Sequence, residues 1–355
     1  MVNLLVLSGD GIGPEISAAT VDVVAAAAGI AGCQVEFTYA DIGFASLAAH
    51  GTTFTDAVFA QAQAADGVVL GPVSHNEYPP PDQGGLNPSG QLRRRLDLYA
   101  NIRPARVRPG LATRCGIPFD LVVVRENTEG FYADRTMHIG TGEVMPTPDL
   151  AMAFRKVTRQ GSLRIAESAF KLAMQRRRKV TAVHKANVLR VSDGLFLECV
   201  RQVAEGYPDV AYEEQLIDAM AALLIRDPSP YDVIVTTNMF GDILADEASE
   251  LSGSLGLAAS LNAGAGHAVA QAQHGSAPGI AGRDVANPAS LIGSAAMLLA
   301  WLGERQGESA LLRAAGLIEA ALDRVVAVPE HRTRDLGGPL GTRAFAARVV
   351  EALGG

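Results

Sequence analysis

At 355 residues the chain is long enough for two domains, and with 48% hydrophobic and 19% charged residues it reads as a packed soluble chain, not a disordered one. A net charge of −8 excludes a nucleic-acid partner, because a phosphate backbone calls for a basic surface. Three scattered cysteines, Cys33, Cys115 and Cys199, exclude a disulfide framework or a C-x-x-C metal site and point to a reducing, cytoplasmic compartment.

The N-terminus has no basic region and too short an apolar run for a signal peptide. Residues 4–7 (Leu-Leu-Val-Leu) predict a short strand. Gly9-Asp-Gly-Ile-Gly-Pro-Glu15 turns the chain, and Pro14 suits the first turn of a helix through the Ala/Val-rich residues 16–28. Residues 33–39 and 67–70 predict two further strands, and a Pro/Gly/Asn-rich loop covers 78–90. Residues 119–124 and 179–183 predict two more. Between them 133–149 is rich in Gly, Thr and Pro, and reads as an arm or hairpin leaving the domain. The apolar stretch 291–302 is too short for a membrane span and predicts a buried helix, so no membrane partner is expected. Strands alternating with helices predict an α/β fold with a largely parallel sheet. Gly9-x-Gly11-x-Gly13 invites a Rossmann reading, but the third glycine falls one residue early and Pro14 takes its place. A tight glycine turn feeding a helix is the simpler explanation.

The most informative segment is Asn238-Met-Phe-Gly-Asp-Ile-Leu-Ala-Asp-Glu247, directly after the apolar run Tyr231-Asp-Val-Ile-Val-Thr236. Asp242 and Asp246, at i and i+4, share one helix face a turn apart. Two anions so placed call for a cation, and a hard divalent ion with oxygen ligands, Mg²⁺ or Mn²⁺, suits them. The plain alternative is a pair of acids complementing a helix dipole. Arg125 and Lys185 follow strand-like runs, at the carboxyl ends where α/β folds place ligand sites. Arg93, Arg103 and Arg125 form an arginine set suited to a small polycarboxylate. For Arg93-Arg94-Arg95 a solvated helix face is the alternative.

Seven motifs occur in order: Gly9-Asp-Gly-Ile-Gly-Pro-Glu15, Leu98-Tyr-Ala-Asn-Ile-Arg-Pro104, Val124-Arg-Glu-Asn-Thr-Glu-Gly130, His184-Lys-Ala-Asn187, Gly241-Asp-Ile-Leu-Ala-Asp-Glu247, His274-Gly-Ser-Ala-Pro278 and Asp335-Leu-Gly-Gly338. Together they resemble the isocitrate/3-isopropylmalate dehydrogenase family, the metal-dependent β-decarboxylating dehydrogenases, over essentially the whole chain. The resemblance implies a homodimer of two-domain subunits with a large mixed, largely parallel, non-Rossmann α/β sheet. Residues 1–98 and 253–355 would form a discontinuous nucleotide-binding domain, and 99–252 an inserted substrate and dimerisation domain. Active sites would lie in the cleft and be shared, with Lys185 and Asp218 supplied by the partner subunit. Asp218 would be the third metal ligand beside Asp242 and Asp246. It lies in the apolar stretch 216–224, where an unpaired carboxylate would be costly.

The resemblance also implies roles. Lys185, its pKa lowered by a nearby cation, takes the C2 hydroxyl proton; hydride passes to a nicotinamide; the β-keto acid loses CO₂; Tyr132 protonates the enol carbon. For Tyr132 a core aromatic is the alternative. Arg93, Arg103, Arg125 and Asn187 would bind substrate. Ile12, His274, Gly275, Ser276, Ala277, Pro278, Ile280 and Asn287 would line the cofactor site. NAD-using members carry an aspartate where this chain has Gly279, and NADP-using members a lysine then a tyrosine. Ile280 leans to NAD, while Arg334 keeps NADP open. Asn87 and Ser89 stand where isopropylmalate enzymes are apolar, so a polar 3-substituent, as in isocitrate or homoisocitrate, leads. A plain polar turn is the alternative for Asn87. 3-Isopropylmalate, tartrate and malate remain alternative substrates, and a non-catalytic regulatory subunit the alternative class.

Overall fold

The computed structural model describes residues 1–132, 137 and 142–355. In chain order its strands are β1 (Val2–Leu7), β2 (Val35–Tyr39), β3 (Gly67–Leu70), β4 (Ala100–Arg106), β5 (Asp120–Glu126), β6 (Glu143–Thr147), β7 (Leu150–Ala153), β8 (Lys179–His184), β9 (Ala211–Leu216), β10 (Val233–Thr236), β11 (Leu261–Ala263) and β12 (Ala268–Gln271). Its helices are α1 (Gly13–Ala31), α2 (Gly43–His50), α3 (Asp56–Ala64), α4 (Pro88–Arg95), α5 (Arg159–Met174), α6 (Ser192–Ala204), α7 (Ile217–Arg226), α8 (Asn238–Ser252), α9 (Ala289–Gln306), α10 (Ser309–Ala327) and α11 (Thr342–Ala352). They divide into two compact units. One comprises Met1–Leu92, Arg108–Ala112 and Gly253–Gly355; the other comprises Arg93–Val107 and Thr113–Ser252.

In the first unit the strand order is β2-β1-β3-β12-β11. The pairs β1–β2, β1–β3 and β3–β12 are parallel, and β11–β12 is antiparallel. β1 and β3 are apolar almost without alternation because parallel strands are covered on both faces. α1 has the length and composition of a membrane span, yet Ile16, Val23, Val24 and Ala27 are buried in the core with α9 and α10 residues such as Leu291 and Ile318. The predicted helix over 291–302 is the buried heart of α9. The glycine turn before α1 is tight for a physical reason. Gly11 has φ +58°, and a Cβ there would come within 2.0 Å of the Ser276 carbonyl. The Ile12 N–H donates to that same carbonyl at 2.9 Å, so the turn is seated on the 274–278 loop.

In the second unit the order is β4-β5-β10-β8-β9, with β5, β10, β8 and β9 parallel and β4 antiparallel to β5. Side chains alternate across these strands. Val122, Val124, Val233 and Val235 pack with Phe170 of α5 and Phe196 of α6. Leu121, Val123 and Ile234 face the other way, onto Met220 of α7 and Leu244 of α8. The expected arm over 133–149 falls partly on 133–136 and 138–141, outside the described residues. Its described part is the β6–β7 hairpin, whose residues are all exposed, Met145 by 66% and Met152 by 45%.

Candidate active site

α8 carries the acidic pair. Gly241 lets it approach β5: a Cβ there would stand 2.7 Å from Cβ and Cγ of Arg125. Arg125 leaves the end of β5 fully buried and lies along the start of α8. Its Nε and Nη2 donate to Asn238 Oδ1 at 3.0 and 2.6 Å, and its Nη1 donates to Asp242 Oδ1. Arg103, on β4, places Nη1 between the two acids, 3.0 Å from Asp242 Oδ1 and 3.3 Å from Asp246 Oδ1. Asn101 steadies it, accepting from Arg103 Nε at 2.5 Å. The cation expected between Asp242 and Asp246 is thus, within the chain itself, a guanidinium. Desolvation pushes the Asp242 carboxyl up, but Arg125, Arg103 and Arg93 outweigh it and hold the pKa below the ordinary aspartate value. Arg93 is half-buried and contributes to this field, whereas Arg94 and Arg95 are exposed, so the solvated-face reading holds for two of the three.

Tyr132 is half-buried. Its hydroxyl lies 3.4 Å from Asp242 Oδ2, and the Arg125 guanidinium sits 5.8 Å from its ring centroid. Asp242, Arg125, Arg103 and Tyr132 therefore converge. Lys185 and Asp218 form a separate pair. Lys185 Nζ donates to Asp218 Oδ1 at 2.6 Å, and this bond is the main cause of a lowered Asp218 pKa. One expectation is corrected here. Asp218 is not a buried carboxylate: it opens the first turn of α7 on its solvent side, with the side chain 65% exposed. The apolar stretch is amphipathic, and Met220 and Leu224 are the residues it buries. Within the chain the neighbour of Lys185 is the Asp218 carboxylate. Asn187 is exposed in the turn after Lys185.

Among the described residues no group of three or more His, Cys, Asp or Glu side chains is placed to hold a metal ion. The donor chemistry still fits one: Asp242 and Asp246 are hard oxygen donors gathered on one cationic group. A single chain supplies two carboxylates, and Asp218 stands elsewhere with Lys185.

A cavity of about 290 Å³ in the first unit is lined by Ile12, His274, Ile280, Asn287 and Asp335, among others. Desolvation lowers the His274 pKa. Its Nδ1 is 3.0 Å from the Gly275 carbonyl, and its Nε2 is buried without a partner among the described residues. Such an orphaned ring nitrogen fits a nucleobase-like ligand with hydrogen-bonding edges. Asn287 donates from Nδ2 to Asp335 Oδ2 at 2.9 Å, and its Oδ1 accepts from the Ala289 N–H at 3.0 Å. Ser276 is buried, its Oγ 2.7 Å from Ser74 Oγ, while Gly275, Ala277 and Pro278 are exposed. Of the two residues expected to read the 3-substituent, Asn87 Oδ1 accepts from Gly90 N–H at 3.1 Å and caps α4, and Ser89 Oγ donates to Gln271 Oε1 at 3.0 Å. Sequence reasoning missed Asn238, Asn101 and Asp335 as holders of site residues. All three lay in quoted stretches, but nothing local shows what their side chains bind.

An α/β chain with paired acids under arginines and a histidine lining a separate cavity belongs among enzymes that act on small anionic molecules. Comparison with known proteins narrows this. Residues 3–353 match the isocitrate/isopropylmalate dehydrogenase family, and the chain belongs to it. It is 40% identical over 351 residues to an isocitrate/homoisocitrate dehydrogenase of Thermus thermophilus, covering 99% of this chain and 98% of that protein. It is 39% identical over 365 residues to a 3-isopropylmalate dehydrogenase of Anaeromyxobacter dehalogenans, covering 99% of each. The crystal structure of isocitrate dehydrogenase from Methylococcus capsulatus superposes with a TM-score of 0.87 at 39% identity, covering 99% of each chain. The chain is therefore a decarboxylating dehydrogenase acting on a CH–OH group.

Proposed function

We propose that this enzyme oxidises and decarboxylates a (2R)-malate bearing a polar 3-substituent, isocitrate or homoisocitrate, with NAD and with Mg²⁺ or Mn²⁺. The observation that carries this reading is the convergence of Arg103, Arg125 and Tyr132 on Asp242. When bound, the divalent ion supplies Lewis-acid polarisation of the substrate's hydroxyl and adjacent carboxylate, and the nicotinamide accepts the hydride. Asp242 and Asp246 would hold the ion, completed by the partner subunit's Asp218. Arg93, Arg103 and Arg125 bind the carboxylates of the malate, and in doing so release the acids that Arg103 now spans. Lys185 takes the hydroxyl proton as a base, and Tyr132 returns a proton to carbon after CO₂ has left. The separation of Asp218 from the Asp242–Asp246 pair in one chain supports an active homodimer. The exposed apolar β6–β7 hairpin supports the same reading, since a lone two-stranded ribbon gains stability by packing on a partner. Three free cysteines suit the cytoplasm.

NAD is favoured because the charged side chain lining the cofactor cavity is the carboxylate of Asp335, with no lysine or arginine among the described lining residues. A regulatory subunit would lack the base, the tyrosine or a metal acid, and this chain carries all of them. One observation favours a second substrate, 3-isopropylmalate: Asn87 Oδ1 and the Ser89 hydroxyl already have partners within the chain, which leaves less polar capacity for a third carboxylate. A panel of isocitrate, homoisocitrate, 3-isopropylmalate, malate and tartrate, each with NAD and NADP, tests the proposal. Fastest turnover of 3-isopropylmalate would replace the polar-substituent reading.

A further inference from the structure

Arg155 follows β7, and Asp193 lies in the first turn of α6. They form a buried ion pair, the side chains 8% and 0% exposed. Arg155 Nη1 donates to Asp193 Oδ1 and, at 2.9 Å, to Ser192 Oγ; its Nη2 donates to Thr237 Oγ1 at 3.0 Å. The guanidinium also lies 5.3 Å from the Phe240 ring centroid and 6.0 Å from that of Phe131. The second oxygen of Asp193 accepts the backbone N–H of Lys185 at 2.6 Å. The backbone on either side of Asp193 is locked in register with the same loop: Leu189 N–H donates to Lys185 O at 2.8 Å, and Asp193 N–H to Leu189 O at 3.0 Å.

A buried ion pair is weak evidence of stability, because desolvating two charges offsets most of their attraction. What sets this pair apart is what it touches. One end grips the backbone of Lys185. The other grips Thr237, just before α8 and five residues before Asp242, and lies over the ring of Phe131, the residue before Tyr132. Three segments far apart in sequence, each carrying a residue of the candidate site, meet on one guanidinium–carboxylate unit.

We propose that Arg155 and Asp193 are positioning residues that hold the Lys185 turn, the Tyr132 loop and the start of α8 in one geometry. This rests on the roles assigned above to Lys185, Tyr132 and Asp242. Neither residue touches substrate. Asp193 acts through the Lys185 main chain, and Arg155 through Thr237 and Phe131. Arginine suits the task because its planar fork reaches several acceptors at once, which an ammonium cannot match.

The test uses the full-length enzyme with Asp193→Asn and, as the milder variant, Arg155→Lys. The first readout needs no turnover: competitive acetylation of lysines with acetic anhydride, quantified by peptide mass spectrometry. The chain has four lysines, and Lys171 and Lys179 serve as internal references for Lys185. Labelling of Lys185 relative to these should change by more than about twofold in folded Asp193→Asn, because its backbone anchor is altered. The second readout is steady-state kinetics on the best malate in the panel. kcat should fall by about 10² with KM changed by less than about threefold, as expected when reacting groups are misplaced by a fraction of an ångström. Arg155→Lys should retain more of kcat than Asp193→Asn. A merely structural pair would lower Tm yet leave the folded variant with wild-type kcat and wild-type Lys185 labelling; that result overturns the proposal, in either variant. Should the wild-type enzyme turn over none of the panel, the functional reading fails on its own, and the labelling ratio still decides this one.

Discussion

Replacing Asp242 with asparagine removes one charge from beneath two arginines while keeping the side chain's shape. Arg125, 2% exposed, loses its carboxylate but keeps Asn238 Oδ1 at 3.0 and 2.6 Å. Arg103 keeps Asp246 at 3.3 Å and Asn101 at 2.5 Å. Breaking a fully buried pair costs about 3–5 kcal/mol. Here the Asp242 side chain is 35% exposed and both arginines retain other acceptors. Solvent screening and those bonds reduce the loss to about 1–2 kcal/mol, a Tm fall of about 2–8 °C for a unit of this size. Because the arginines hold the folded pKa below the ordinary value, this contribution is present above the ordinary aspartate range. It is lost as pH falls through the lowered pKa, so the difference in Tm between wild type and variant should vanish in strong acid. Function should suffer far more. Loss of an anionic ligand should lower turnover by at least about 10², and the wild-type stabilisation by saturating Mn²⁺, about 2.7 kcal/mol at a hundred times Kd, should largely disappear. Scanning fluorimetry with EDTA or Mn²⁺, beside NAD reduction, measures both. A variant with wild-type turnover and an intact Mn²⁺ shift would refute the metal-site reasoning.

Other outcomes follow from the same geometry. Tyr132→Phe should slow catalysis by about 10² to 10⁴ if the phenol is the general acid, and wild-type rates would assign it to packing. Mixing inactive Lys185→Met with an inactive Arg125→Gln variant should regain activity once subunits exchange, because hybrid dimers contain one intact shared site; no regain despite exchange measured by native mass spectrometry would deny a shared site. Burial pushes Glu247 up to about 7, and its Oε1 has no partner among the described residues. Its neutral form suits the fold, so stability falls as pH rises from the ordinary glutamate range towards 7. Glu247→Gln should therefore raise stability at pH 8 by about 1–2 kcal/mol, discounted for partial exposure, and change nothing near pH 4, as read by thermal melts.

Much of the fold is legible in local pattern. Apolar runs at 4–7, 67–70 and 231–236 become β1, β3 and β10 because parallel strands are covered on both faces and need no polar alternation. β9, Ala-Tyr-Glu-Glu-Gln-Leu, escaped notice because its pairing with β8 stabilises a strand whose residues are polar and half exposed. The acidic pair on α8 was legible because helical spacing alone puts Asp242 and Asp246 on one face. That Arg103 would fill the space between them was not, since β4 and α8 are far apart in sequence. Asp218 misled: apolar neighbours along a chain do not bury a residue when the helix they form is amphipathic. The Arg155–Asp193 pair, which joins residues 38 positions apart, left no local signal at all.

The central claim is tested most directly by following NADH and CO₂ together, with isocitrate and homoisocitrate as substrates, in Mg²⁺ and then in EDTA. The account predicts equal amounts of NADH and CO₂ in Mg²⁺, and neither after chelation. Full activity in EDTA, or NADH formed without CO₂, would contradict it.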